Sequence, residues 1–306
     1  MRHFLSLQDF SKDEILQIAQ LALRHKRDYQ NNQFPKTLAN QTLAMIFEKS
    51  STRTRVSLET AMFHLGGHSI FLSTRDIQLG RGESIADTAQ VLSRMCQFIS
   101  IRTTGHERIE EFAQHSSVPI INTLSDLYHP TQLIADLITI MENDKLEEKI
   151  CYIGDGNNVS NSLVLLASKL GLSLNIASPQ GYEIPPAVQQ LAIGNANQSQ
   201  AKIKYCSTAQ EAIKNAGVVI TDTFVSMGQE DEKEAREQAF KDHCVTNDLF
   251  AQAQKDAIFL HCLPAYRGKE VHSEIIDGAQ SRVFDEAENR MHANKGILTW
   301  LQQHKE

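Results

Sequence analysis

The chain has only five cysteines in 306 residues, Cys96, Cys151, Cys206, Cys244 and Cys262, and no two of them form a C-x-x-C pair. An odd number at wide spacing supports neither a disulfide framework nor a zinc site, so any cysteine with a role acts alone. Seven prolines and 15 glycines are too few for a disordered or collagenous chain. No apolar run approaches the roughly 20 residues needed to cross a bilayer. The first residues, with Arg2, Asp9, Lys12, Asp13 and Glu14, contain no signal-peptide core, and a cytoplasmic protein with no membrane partner is expected. Positive charge is also in deficit: 30 Lys and Arg against 37 Asp and Glu leave a net charge of −7, which repels a phosphate backbone and argues against nucleic acid.

The remaining composition, 41% hydrophobic and 22% charged, is that of a globular protein. Its length is about twice a typical domain of roughly 150 residues, so two domains are expected. Strand-like apolar runs alternate with amphipathic helical patterns, the signature of an α/β fold with mainly parallel sheets. In the first half the strand runs are 42–47, 97–101 and 118–121; in the second they are 150–153, 172–177, 203–205, 218–221 and 258–261. A long helical pattern carrying Leu133, Ile134, Leu137, Ile138 and Met141 leads into the charged stretch 142–149, whose composition suits an exposed connection between domains. The tail 285–303 has helical spacing again, with Ala287, Met291, Ile297 and Trp300 on one face.

Polar residues gather where those strands end. Ser51-Thr52-Arg53-Thr54-Arg55 lies between the run ending at Phe47 and a helix with Leu58, Met62 and Leu65 on its apolar face. Hydroxyls and guanidiniums at a helix N-terminus, beside free backbone N–H groups, make an anion site suited to phosphate, although simple capping by Ser or Thr gives the same local sequence. Arg102 and the segment His129-Pro130-Thr131-Gln132 follow two other strand runs of the same half. In open α/β sheets ligands bind beyond the carboxyl ends of strands, so these groups suit a phosphate next to a carbonyl that Arg102 and His129 polarise.

In the second half, Gly154-Asp155-Gly156-Asn157-Asn158 is placed like a dinucleotide turn, but it lacks the third glycine, and Ser178-Pro179 stands where a ribose-binding acid belongs. Asn158 offers its amide to a carboxylate instead. Asp222, at the head of Asp222-Thr223-Phe224-Val225-Ser226-Met227-Gly228, offers a carboxylate for an ammonium, and His261-Cys262-Leu263-Pro264 offers a thiol. Taken singly, Asp222 is a turn cap and Cys262 a small buried apolar residue; their shared placement at strand ends raises them above that.

Together these motifs, with Phe47-Glu48-Lys49-Ser50 before the first, Gln78-Leu79-Gly80 with Glu83-Ser84, and Glu288-Asn289-Arg290, resemble the aspartate/ornithine carbamoyltransferase family along essentially the whole chain. The acceptor half, with its 222–228 loop and Cys262, resembles the ornithine branch. The resemblance implies two doubly wound parallel-sheet domains with the active site in the cleft between them. These are a carbamoyl-phosphate-binding domain, 1–140, on which the helix 286–306 packs back, and an ornithine-binding domain, 141–285. It implies carbamoyl transfer from carbamoyl phosphate to the δ-amine of L-ornithine in arginine biosynthesis, without cofactor or metal, by a homotrimer. Ser51, Thr52, Arg53 and Thr54 are then expected to hold the phosphate, and Arg102, His129 and Gln132 the carbamoyl group, with Gln78 reaching into a neighbouring subunit. Asn158, Asp222, Ser226 and Met227 are expected to grip ornithine, while Cys262, Leu263 and Arg290 surround the reacting centre, with Arg102, His129 and Cys262 the catalytic set. Phe224 departs from the Trp usual there, which keeps a ring and loses an N–H. A different acceptor amine, putrescine or N-acetylornithine, and an inactive regulatory scaffold are the alternatives.

Overall fold

The protein is seen here in a computed structural model that describes residues 1–73, 77–79, 82–225 and 230–305. Its elements begin with α1 (Lys12–Gln30), β1 (Thr42–Phe47), α2 (Thr52–His64), β2 (His68–Ser73), α3 (Ile85–Ser93), β3 (Phe98–Arg102), α4 (His106–His115), β4 (Ile120–Leu124) and α5 (Pro130–Glu142). They continue with β5 (Ile150–Ile153), α6 (Asn158–Leu170), β6 (Ser173–Ala177), α7 (Pro186–Ser199), β7 (Lys202–Cys206), α8 (Ala209–Ile213) and β8 (Val218–Thr221). The last are α9 (Lys233–Ala239), α10 (Asn247–Phe250), β9 (Ile258–His261), α11 (Ser273–Ile276) and α12 (Val283–Gln303). Among the described residues no helix is long and apolar enough to cross a membrane.

The chain forms two compact units, Met1–Ile138 with Glu288–Glu306, and Thr139–Ala287. Both divisions fall inside helices, α5 and α12. The charged stretch 142–149 is less exposed than its composition suggests: Lys145 is buried and its Nζ meets Asp256 Oδ2 at 2.5 Å.

The first unit is built on a parallel sheet of order β2-β1-β3-β4. Its inner strands β1 and β3 are covered on both faces and read as mainly apolar runs, as parallel strands do. The core beside them holds Ala44, Ile46, Ile99, Ile101, Ile109 and Phe112. The carboxyl-terminal part of α12 belongs to this unit and packs on α1. Gly296 permits the approach, since a Cβ there would lie 2.6 Å from the Ile18 carbonyl oxygen. Polar bonds fix the pair: Lys26 Nζ donates to Asn289 Oδ1 at 2.8 Å, and His25 Nε2 and Thr299 Oγ1 are 2.9 Å apart.

This packing buries histidines among cations. Burial, then the charge of Lys295, holds His25 down to about 4 and His292 to about 3. In the unfolded chain both take up a proton near pH 6.5, whereas the folded protein refuses it until the lowered values are reached. Stability therefore falls as pH drops below about 6.5, by roughly 1.4 kcal/mol per histidine at about pH 5.5. Urea unfolding should show a midpoint clearly lower at that pH than at about pH 7.5; an unmoved midpoint would contradict the burial of neutral imidazoles.

The second unit is built on a parallel sheet of order β7-β6-β5-β8-β9. Its core contains Cys151, Ile153, Val219, Val245, Phe259 and Val271, so Cys151 serves as a small apolar residue. The fold is thus α/β with two parallel-sheet domains. All eight strand runs anticipated from the sequence are present, β4 displaced toward its carboxyl end. The unanticipated strand is β2, a half-exposed edge.

Candidate active site

In each sheet the chain reverses the direction in which strands are added, and the crevice at such a switch point is where open α/β sheets bind ligands. In the first sheet it lies between β1 and β3, whose last residues Phe47 and Arg102 are register partners. Ser51 follows β1 and caps α2, its Oγ accepting the Thr54 N–H at 3.3 Å and donating to Thr54 Oγ1 at 3.0 Å. Thr54 Oγ1 also accepts from Arg290 Nη2 at 2.8 Å, so α12 delivers its arginine to this helix start. Thr52 begins α2, and Arg53 Nε is buried with no hydrogen-bond partner.

Arg102 and His129 are both buried. Burial, then the charges of Arg290, Arg102 and Arg53, holds the His129 pKa well below the ordinary histidine value, so the imidazole is neutral at pH 7. Pro130 opens α5 immediately after it, with Gln132 in the first turn donating to Asp136 Oδ1 at 2.8 Å. Three guanidiniums around a neutral imidazole, at the positive end of α2, make a site for a doubly charged phosphate beside a carbonyl. Arg55 does not join it: the side chain is exposed, pairs with Glu59 at 2.9 Å and lies 3.8 Å over the Phe71 ring. Gln78 is exposed on the same unit.

One residue without an assigned role in the sequence reading is Glu48. Its N–H donates to the Arg102 carbonyl at 2.9 Å, and its carboxylate accepts from Arg108 at 2.7 Å and from the Thr103 hydroxyl. It clamps the ends of β1 and β3 together beneath Ser51 and Arg102. An acid immediately after the apolar run 42–47 and just before the Ser51–Arg55 motif was the available signal.

In the second sheet the switch point lies between β5 and β8. Asn157 caps α6, its Oδ1 accepting the N–H groups of Val159 at 2.9 Å and Ser160 at 3.2 Å. Its Nδ2 donates to Asp222 Oδ2 at 2.8 Å. It is therefore Asn157 whose amide reaches Asp222, while Asn158, the half-buried first residue of α6, stands beside it. The other Asp222 oxygen accepts from Cys262 Sγ at 3.2 Å. Gly156 is required for a different reason from that of a dinucleotide turn: a Cβ there would lie 2.3 Å from the Glu183 carbonyl carbon.

The turn after β9 is held from beneath. His261 Nδ1 accepts the Leu263 N–H at 2.9 Å, so Nε2 carries the proton and points at Glu270 Oε1, 3.3 Å away; both side chains are buried. Leu263 adopts φ +58, an unusual value for a branched residue, and packs on the apolar core. Asp222, His261 and Cys262 bring ligand atoms within 4.8 Å of one another, a donor set a metal could use. Those atoms are engaged in the hydrogen bonds just described, with which a metal would compete. Ser226 and Met227 lie outside the described residues.

Comparison with known proteins covers both units. Residues 2–142 match the model of the aspartate/ornithine carbamoyltransferase carbamoyl-P binding domain, and residues 146–301 that of the Asp/Orn binding domain. An ornithine carbamoyltransferase of Wolinella succinogenes is 54% identical over 302 residues, covering 98% of each chain. That of Campylobacter hominis is 55% identical over 305 residues, covering 100% of this chain and 99% of its own. The crystal structure of the anabolic ornithine carbamoyltransferase from Campylobacter jejuni superposes with a TM-score of 0.95 at 46% identity, covering 99% of this chain and 100% of that one. With family models matching 2–142 and 146–301 and relatives of more than 50% identity covering nearly the whole chain, the chain belongs to the aspartate/ornithine carbamoyltransferase family.

Proposed function

We propose that the protein transfers the carbamoyl group of carbamoyl phosphate to the δ-amine of L-ornithine, giving L-citrulline and phosphate, as a step of arginine biosynthesis. The observation that carries this is the convergence of Arg53, Arg102 and Arg290 on the neutral His129 at the switch point of the first sheet. It supplies cations for a phosphate and, in the imidazole, a donor that needs no ionised form.

Ser51, Thr52, Arg53 and Thr54 hold the phosphate in this reading. Arg102, His129 and Gln132 face the carbamoyl oxygen and amide, with Arg290, Cys262 and Leu263 around the reacting carbon. Asn158, Asp222, Ser226 and Met227 hold the α-ammonium and α-carboxylate of ornithine, with Asn157 fixing the Asp222 carboxylate. The neutral δ-amine adds to the carbamoyl carbon, and the oxyanion of the tetrahedral intermediate is stabilised by Arg102 and His129. The C–O bond to phosphate then breaks, and the proton lost by the amine balances the departing phosphate as its hydrogen form. A free alkyl amine has a pKa of about 10.4, so the site must favour its uncharged state. No covalent intermediate on Cys262 is needed when both substrates are bound together.

The protein works as a homotrimer in this proposal, Gln78 reaching into a neighbouring subunit. Support comes from apolar side chains left exposed on the first unit: Val56 and Phe63 on α2, Ile70 on the edge strand β2, and Val91 and Met95 on and just after α3. Five free cysteines suit the reducing cytoplasm. Two experiments test the assignment. Purified protein given both substrates should release phosphate and form citrulline in equal amounts; phosphate release without citrulline would overturn the transfer. Arg53→Ala should raise the KM for carbamoyl phosphate by roughly 10- to 100-fold, the loss of a charged hydrogen bond, with the KM for ornithine little changed. An unaltered carbamoyl phosphate KM would remove Arg53 from the phosphate site.

A further inference from the structure

Arg236, on the short helix α9, is buried to the same degree as the residues of the site, and no role has yet been given to it. Its Nη1 donates to Asp155 Oδ2 at 2.8 Å and to the carbonyl oxygen of Phe224 at 3.0 Å. Its Nε donates to Glu232 Oε2 at 3.1 Å, and the guanidinium carbon lies 4.8 Å over the Tyr182 ring. One planar cation thus joins the turn after β5, the loop after β8 and its own helix. Phe224, two residues beyond Asp222, is further fixed by stacking on Phe240 at 4.6 Å.

The sequence separation gives these contacts their meaning. The bond from Arg236 to Phe224 spans 12 positions and ties α9 to the segment that leaves β8, so the guanidinium fixes where that segment lies relative to α9. Asp222 stands two residues before Phe224 on that segment. Asp155, the other partner, stands two residues before Asn157, whose amide holds Asp222. Arginine suits the post better than lysine. Its fork donates to the carboxylate and the carbonyl at once while its flat face covers the tyrosine, whereas an ammonium is a single point of charge.

We propose that Arg236 is the positioning residue of the amino-acid half of the site, holding the Asp222 loop against the turn after β5 so that it presents a preformed seat for the acceptor. Arg236 acts through Phe224 and Asp155 and touches neither substrate. The proposal rests on the reading of this unit as the ornithine-binding half.

Arg236→Lys and Asp155→Asn test it, with wild type alongside. Both variants keep the buried space filled, and Asp155→Asn keeps an oxygen acceptor. The KM for ornithine should rise by about 10-fold in Arg236→Lys and by less in Asp155→Asn, as expected for loss of charged hydrogen bonds that organise a loop. The KM for carbamoyl phosphate should stay within about twofold and kcat at saturating ornithine within about threefold, since preorganisation acts on binding. An unchanged ornithine KM in both variants, or an equal rise for both substrates, would overturn the positioning role while leaving the reaction in place. Absence of wild-type turnover with ornithine would overturn the role and the reading beneath it together.

Discussion

Replacing Arg102 by alanine lowers kcat by about 10² or more, the cost of losing one donor to a developing oxyanion. The effect is local because the backbone at this position is secured independently of the side chain. The Arg102 carbonyl accepts the Glu48 N–H, and Thr103, the next residue, is bound to the Glu48 carboxylate. The guanidinium is buried, so its charge acts where water screens it poorly. It is also one of three cations that, with burial, hold His129 neutral, so that in the proposed reaction the imidazole is a second donor, and a neutral one, to the same oxygen. Arg102→Lys retains the charge and loses the fork, and should recover part of the rate. An unchanged kcat in the alanine variant, measured with both substrates saturating, would remove Arg102 from the reacting centre.

Asp222→Asn should lower kcat/KM for ornithine by about 10² or more, the loss expected when one member of a buried charge pair is neutralised. The two donors bound to the carboxylate, the Asn157 amide and the Cys262 thiol, are both neutral, so the oxygens keep their negative charge for a cationic substrate. Asparagine fills the same space and cannot pair with an ammonium. The KM for carbamoyl phosphate should not follow. A kcat/KM for ornithine within a few-fold of wild type would mean that the α-ammonium is held elsewhere.

Much of this was legible in the residues, for physical reasons that differ from place to place. The inner strands β1, β3, β5 and β8 are buried on both faces and so appear as short, mainly apolar runs. Edge strand β2, His68–Ser73, has one side open to solvent and a mixed burial pattern, and its sequence carries no comparable signal. Ser51 announced itself because a hydroxyl before a helix caps it, and His129 because proline at the first helical position marks the start of α5. Arg53 and Arg55 look alike in sequence. Only the structure separates the one whose charge reaches His129 from the one that lies on Phe71 and pairs with Glu59.

The supporting residues were the least visible. Glu48, Asn157, Glu270 and Arg236 act through hydrogen bonds to partners far along the chain, and no spacing rule places Arg236 against Asp155, 81 residues away. Asn157 and Asn158 are adjacent and chemically identical. Which amide faces Asp222 is decided by the turn of the helix that Asn157 caps, a three-dimensional matter that composition does not carry.

The central claim is that the acceptor is ornithine. Its most direct test is ureido-product formation by the purified protein with carbamoyl phosphate, comparing ornithine, putrescine, N-acetylornithine and aspartate at equal concentration. Strong turnover with ornithine and little with the other three is the expected result, because only ornithine brings both an α-ammonium for Asp222 and a free δ-amine. Preferred turnover of putrescine, N-acetylornithine or aspartate would contradict it.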